Sequence, residues 1–201
     1  MSRYYFPIQN GKQIISTYSG IKGIADYALY GLGNKNAKDV SFPDLENVSG
    51  RFALYKSFSS SEMLETISFP KLETIDGYRS LYQCFSGCSN LQSIAFQELK
   101  TLAAAEAMYQ AFSSCSQLGS VNFSKLETVI GSFSMYGAFS FCTSLITISF
   151  PQLTSVGDNS FRSCFYGCTN LTAIHFRSDM RSTLENKNDW GVSNSIFVFD
   201  L

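Results

Sequence analysis

Phe85-Ser86-Gly87-Cys88-Ser89-Asn90-Leu91-Gln92-Ser93-Ile94-Ala95-Phe96 is the stretch that decides the fold, because its pattern returns down the chain at a fixed interval. Its last six residues read LxxIxF, with Ile94 and Phe96 two apart, as on one face of a strand. The same pattern recurs at Leu64-Ile67-Phe69, Leu118-Val121-Phe123, Leu145-Ile148-Phe150 and Leu171-Ile174-Phe176. With Phe42 in front, the closing phenylalanines stand at 42, 69, 96, 123, 150 and 176, spaced by 27 residues four times and then by 26. A fixed period of that length is the signature of a repeat architecture.

Other columns keep the same register. An apolar pair follows each strand at Leu45/Val48, Leu72/Ile75, Leu99/Leu102, Leu126/Val129 and Leu153/Val156, and Phe58, Phe85, Phe112, Phe139 and Phe165 form a further column. Pro43, Pro70 and Pro151 sit just after the strand phenylalanine and end the strand there. Leu81, Cys84, Phe85 and Cys88 fall at i, i+3, i+4 and i+7, which predicts a short helix. Met108/Ala111/Phe112/Cys115, Met135/Ala138/Phe139/Cys142 and Phe161/Cys164/Phe165/Cys168 repeat that stripe. Each unit therefore reads strand, turn, second extended segment, short helix.

One unit has about nine apolar side chains worth roughly 2 kcal/mol each, while ordering its 27 residues costs about 1–2 kcal/mol apiece. No unit can fold alone. Units stacked in parallel with strands about 4.8 Å apart share hydrogen bonds and a core, which makes a solenoid. The expected organisation is one structural domain. Residues 1–39 form an N-terminal cap, residues 40–177 the solenoid of about five units, and residues 178–201 a C-terminal cap. In the first cap, Tyr4, Phe6 and Ile8 alternate before Gln9-Asn10-Gly11-Lys12, a hairpin signal, and residues 18–39 read as a degenerate first coil. In the last, Met180, Leu184 and Trp190 suggest a short helix ahead of a closing strand at Ile196-Phe197-Val198-Phe199.

The LxxIxF strand preceded by FxxC, as in Phe85 to Ile94 and again in Phe165-Tyr166-Gly167-Cys168-Thr169-Asn170-Leu171-Thr172-Ala173-Ile174, resembles the BspA-type leucine-rich repeat over residues 40–177. The tail from His175 to Leu201 also resembles the closing segment of short repeat proteins of gut Firmicutes and their prophages. The first resemblance implies an α/β leucine-rich repeat solenoid of strand-turn-short helix units, with a concave parallel β-sheet and terminal caps. It also implies a surface or secreted module that adheres to host matrix proteins or other microbes. No leader or anchor is visible in the sequence, so a prophage or intracellular structural repeat protein is the alternative expectation.

Composition narrows the function. Charged residues are only 15% of the 201, and 31 serines take their place, against about 25% charged in an ordinary domain. Lys plus Arg is 15, Asp plus Glu is 16, and no block of five like charges occurs, so neither nucleic acid nor anionic membrane is expected as a partner. No apolar run approaches the 18 or so residues of a membrane helix.

In an LxxIxF strand the intervening residues face away from the core. They place Thr66 and Ser68, Ser93 and Ala95, Ser120 and Asn122, Thr147 and Ser149, and Ala173 and His175 on the concave face, with Gln97, Ser124 and Arg177 one step further. Thr66, Ser68, Ser93, Gln97, Ser120, Asn122, Thr147, Ser149, His175 and Arg177 are the candidate ligand-binding residues, suited to hydrogen-bonding an extended peptide or a glycan. Small polar residues also suit a sheet that must simply curve without crowding. Tyr55, Tyr82, Tyr109 and Tyr136 form a flanking column that could serve carbohydrate or protein contacts, or pack half-buried. A catalytic role for His175 with Ser149 lacks a carboxylate at the matching positions, so no enzyme is expected. Cys88, Cys115, Cys142 and Cys168 recur with the repeat and lack histidine partners, as buried free thiols do, so neither a metal nor any other cofactor is expected. Both ends look protected, so the expected state is a monomer that binds a protein or glycan ligand.

Overall fold

A computed structural model describes residues 14–32, 36–185, 187 and 189–200, and of residues 14–16 the backbone alone. The hairpin read at Tyr4 to Lys12 lies outside them. Among the described residues there are thirteen strands. They are β1 Ile14–Thr17, β2 Ala37–Ser41, β3 Asn47–Val48, β4 Thr66–Ser68, β5 Thr74–Ile75, β6 Ser93–Ala95, β7 Thr101–Leu102, β8 Ser120–Asn122, β9 Thr128–Val129, β10 Thr147–Phe150, β11 Ser155–Val156, β12 Ala173–Phe176 and β13 Phe197–Phe199.

They stack into parallel sheets. One face of the solenoid carries β1-β2-β4-β6-β8 and then β10-β12-β13, and a second carries β3-β5-β7-β9-β11. Pairing is in register from coil to coil, Ile67 beside Ile94 beside Val121, and Ile148 beside Ile174. The long face is interrupted between β8 and β10. There the residue entering the strand is Gly119, where other coils have Glu65, Gln92, Ile146 and Thr172, and a glycine contributes little to a strand.

The third face departs from the sequence expectation. Leu81, Cys84, Phe85 and Cys88 are buried as the stripe requires, but they do not lie on a helix. The chain runs as successive four-residue turns: the N–H groups of Tyr82, Cys84, Ser86 and Cys88 bond back to the carbonyls of Arg79, Leu81, Gln83 and Phe85 at 3.1–3.3 Å. The alternate N–H groups of Leu81, Gln83, Phe85 and Gly87 donate at 2.8 Å to the carbonyls of Ala107, Tyr109, Ala111 and Ser113 in the next coil. An α-helix would spend every donor on itself, whereas this turn wall gives half of them to its neighbour and so adds a third ladder to the stack. The cost is a left-handed residue at every fourth position, such as Arg79, Gln83 and Gly87 with φ of 52°, 49° and 76°. No β-branched residue occupies such a position among the described residues. The buried stripe has a period of 4, close enough to 3.6 over seven residues to read as helical.

The core is a set of ring ladders. Phe42, Phe69, Phe96, Phe123, Phe150 and Phe176 stack at 5.3–5.8 Å, and Phe58, Phe85, Phe112, Phe139 and Phe165 at 5.2–6.0 Å. The two ladders meet edge to face, as at Phe96 and Phe112, 6.0 Å apart. At the front, Tyr18 stacks on Phe42 at 4.3 Å. At the back, a short helix α1 (Arg181–Leu184) buries Leu184, and Trp190 lies beyond it, flat on Phe161 at 4.1 Å. The carbonyls of Asp189 and Trp190 accept the last turn-wall donors, Ser163 and Phe165, while β13 pairs with β12.

Candidate functional site

The repeat places the polar sheet residues in two rows. Thr66, Ser93 and Ser120 are register partners, as are Thr147 and Ala173. In the second row Ser68, Ala95 and Asn122 are partners, and Ser149 lies beside His175. Thr66, Ser68, Ser93, Ser120, Asn122, Thr147 and Ser149 are exposed. The sheet thus presents hydroxyls and an amide at strand spacing, about 4.8 Å. Gln97 is exposed too, but in the turn after β6 rather than on the sheet.

The structure adds two carboxylates that sequence spacing missed. Asp39 of β2 is the partner of Thr66 and accepts its hydroxyl at 2.5 Å. Asp200, just past β13, lies 3.1 Å from His175 Nδ1. The premise that this face has no carboxylate is therefore corrected: the closing strand brings one in from outside the repeat, where no column position could reveal it. Asn122 Oδ1 accepts the Ser124 N–H at 2.9 Å, which turns its amino group away from that turn. Ser149, His175 and Asp200 lie together at the C-terminal end of the face, with Asn122 one coil before Ser149. Arg177, a candidate ligand-binding residue, is held by Asp179 through two bonds of 2.6 and 3.1 Å. Lys38 of β2 is paired with Glu65 at 3.0 Å.

The tyrosine column is longer than its sequence outline. Tyr30, Tyr55, Tyr82, Tyr109 and Tyr136 stack at 4.6–5.0 Å with ring planes within 4–11° of parallel. Their faces are occupied by one another, so a sugar cannot lie on them inside the ladder; edges and hydroxyls are what solvent meets. Burial raises the phenol pKa of Tyr82 and Tyr109. Beside them Gln83 donates to Gln110 at 2.7 Å, and Arg79 grips Glu106 through two bonds of 2.9 and 3.1 Å. That carboxylate raises the Arg79 pKa.

All six cysteines are free and buried. The Sγ atoms of Cys88, Cys115, Cys142 and Cys168 donate to the carbonyls of Phe58, Phe85, Phe112 and Phe139 at 3.0–3.2 Å, satisfying a backbone acceptor of the preceding coil. Burial pushes Cys88 up to about 12 and Cys168 up to about 11, so these thiols are poor nucleophiles. Among the described residues no group of three or more His, Cys, Asp or Glu could hold a metal ion. No helix among them is long and apolar enough to cross a membrane.

No curated protein matches the chain. Solved structures similar to it include a leucine rich repeat protein of T. pallidum, with 20% identity over 81% of this chain and 69% of that one, at a TM-score of 0.39. A leucine-rich repeat protein of Bacteroides ovatus ATCC 8483 shares 18% identity over 87% of this chain and 69% of that one, TM-score 0.40. A leucine rich cell surface protein of Faecalibacterium prausnitzii A2-165 shares 14% over 92% and 59%, TM-score 0.38. The BspA type leucine rich repeat region matches in six copies across residues 2–136, 55–164 and 137–187. With that match running through nearly the whole chain, on top of the in-register columns described above, this protein belongs to the BspA-type leucine-rich repeat family.

Proposed function

We propose that the chain is a noncatalytic binding module that recognises an extracellular protein or glycan through the exposed face of its long sheet. The observation that carries this reading is the two-row display of Thr66, Ser93, Ser120 and Thr147 beside Ser68, Asn122 and Ser149, held outward on a rigid backbone. Each group offers one weak hydrogen bond, but their positions are fixed before the ligand arrives, so little ordering entropy is lost on binding. The C-terminal end is the natural anchor. Asp200 fixes the orientation of His175, the Ser149 hydroxyl stands on the strand beside it, and the Asn122 amide lies one coil further on.

The test is solid-phase binding of the purified chain to a panel of matrix proteins and glycans at low and high salt. Because the central strands bear few charges, the expected binding is saturable and little changed by salt. A panel that yields no saturable ligand, or binding lost as salt rises, would remove this reading.

A further inference from the structure

The turn wall carries a continuous aromatic surface at the upper end of what a monomer leaves uncovered. Tyr27, Phe52, Tyr78 and Phe133 join the tyrosine ladder in unbroken ring contact along it. Tyr27 and Tyr30 are 55% and 52% exposed, and Phe141 and Tyr166, near the other end of the wall, are 48% and 56% exposed. At about 200 Å² per aromatic side chain, Tyr27, Tyr30 and the half-buried rings joined to them show about 500 Å². The largest apolar patch on an ordinary monomer is about 300–600 Å².

The columns of this wall are nearly palindromic about the junction between the third and fourth coils, where Tyr82 stacks on Tyr109 at 4.7 Å. In the column beside the tyrosines, Phe52 and Arg79 precede the junction and Glu106 and Phe133 follow it. In the next column on the other side, Gln83 stands against Gln110. A two-fold axis crossing the wall at this junction reverses coil order while keeping each column opposite itself. Arg79 of one copy then faces Glu106 of the other, and the reverse, turning two ion pairs into an alternating ring of four charges. Phe52 meets Phe133, Tyr30 meets Arg162, and the large Tyr78 meets the small Ala105. The one like-charge meeting, Asp26 with Asp158, falls at the exposed rim, where solvent screens it.

We propose that the turn wall is a homodimer interface in which two copies pack back to back and antiparallel. Self-complementarity of one patch is what an isologous dimer requires. Two such faces bury about 1,000 Å² of aromatic surface alone, the area at which specific interfaces begin. The closing segment covers the C-terminal end of the stack but leaves this lateral face open, so the monomer expected from sequence does not follow from it. The dimer leaves both long sheets uncovered and so makes any ligand contact there bivalent. This inference stands independently of what the sheet face binds.

Sedimentation velocity on the wild-type chain at tens of micromolar should give twice 22.3 kDa. Arg79→Glu and Glu106→Arg should each be monomeric, because each places four like charges at the axis. Mixed in equal amounts the two variants should pair, since every carboxylate of the first then faces a guanidinium of the second across the axis. Ala105→Gln, which adds bulk opposite Tyr78 without touching an ion pair, should weaken the dimer at least tenfold, with circular dichroism confirming that every variant is folded. A monomeric wild type, a dimer indifferent to all three substitutions, or charge variants that stay apart when mixed would each overturn the proposal.

Discussion

Phe112 sits at the middle of the second ring ladder, fully buried, with Phe85 stacked at 5.2 Å on one side and Phe139 at 5.5 Å on the other, and Phe96 edge-on at 6.0 Å. Phe112→Ala removes a whole ring from a site clamped on both sides by sheet and turn-wall hydrogen bonds, so the cavity cannot collapse. That class of change costs about 3–5 kcal/mol, which for a chain of this size lowers Tm by roughly 6–20 °C. Phe112→Leu keeps most of the apolar volume but loses both stacked pairs, each worth about 0.5–1.5 kcal/mol, so about 1–3 kcal/mol should go. Phe58, at the front of the same ladder, stacks on Phe85 alone. Phe58→Ala should therefore cost about 1 kcal/mol less than Phe112→Ala. Thermal melts by circular dichroism with urea titration of the four proteins settle the order. If Phe112→Ala costs less than about 1 kcal/mol, or if Leu and Ala at this site cost the same, the ladder is not what holds successive coils together.

Deleting residues 94–120, one whole unit, should leave a shorter folded solenoid, whereas a deletion of about half that length should abolish the cooperative melt; two equally folded deletions would refute the register argument. The six thiols should react with a disulfide reagent only after denaturation, and fast labelling of the native chain would contradict their burial. Because folded Cys88 and Cys168 titrate near 12 and 11, the native state keeps protons that the unfolded chain releases above about pH 8.5. Stability should therefore be full below that pH and fall between about pH 9 and 12, and a melt unchanged up to pH 11 would count against it. The buried hydroxyls of Ser80 and Ser134 find no hydrogen-bond partner among the described residues, in a column where Ala107 is tolerated. Ser80→Ala should thus be neutral or stabilising by about 1 kcal/mol in urea unfolding, and a clear loss would reveal a partner for that hydroxyl.

The apolar columns were legible because a solenoid translates sequence period directly into stacking: Phe42 to Phe176 and Phe58 to Phe165 lie where their spacing puts them. The turn wall was not, since burial at residues 81, 84, 85 and 88 suits a helix and a run of four-residue turns equally. One signal could have separated them. Gly87, Gly137 and Gly167 recur at left-handed positions of the wall, where a helix has no use for them. A second glycine column, Gly50, Gly77, Gly131 and Gly157, broken only by Ala104, was equally readable: at Gly131 a Cβ would collide with the Ala104 carbonyl. Ion pairs 27 residues apart, Lys71 with Asp44, Lys100 with Glu73 and Lys125 with Glu98, follow from the same period. For the candidate site, the exposed hydroxyl rows came from strand alternation, but Asp200 beside His175 depends on where β13 docks, which no repeat position encodes.

Recognition by the long sheet face is tested most directly by one comparison of binding isotherms. Ser93→Lys, Asn122→Lys and Ser149→Lys combined place cations on three adjacent coils at exposed sites, where each substitution changes stability by only about 0.5 kcal/mol. Measured against a ligand from the matrix-protein and glycan panel, the triple variant should lose at least tenfold in affinity while melting within a few degrees of wild type. Undiminished affinity in that folded variant would contradict the claim and move recognition off this face.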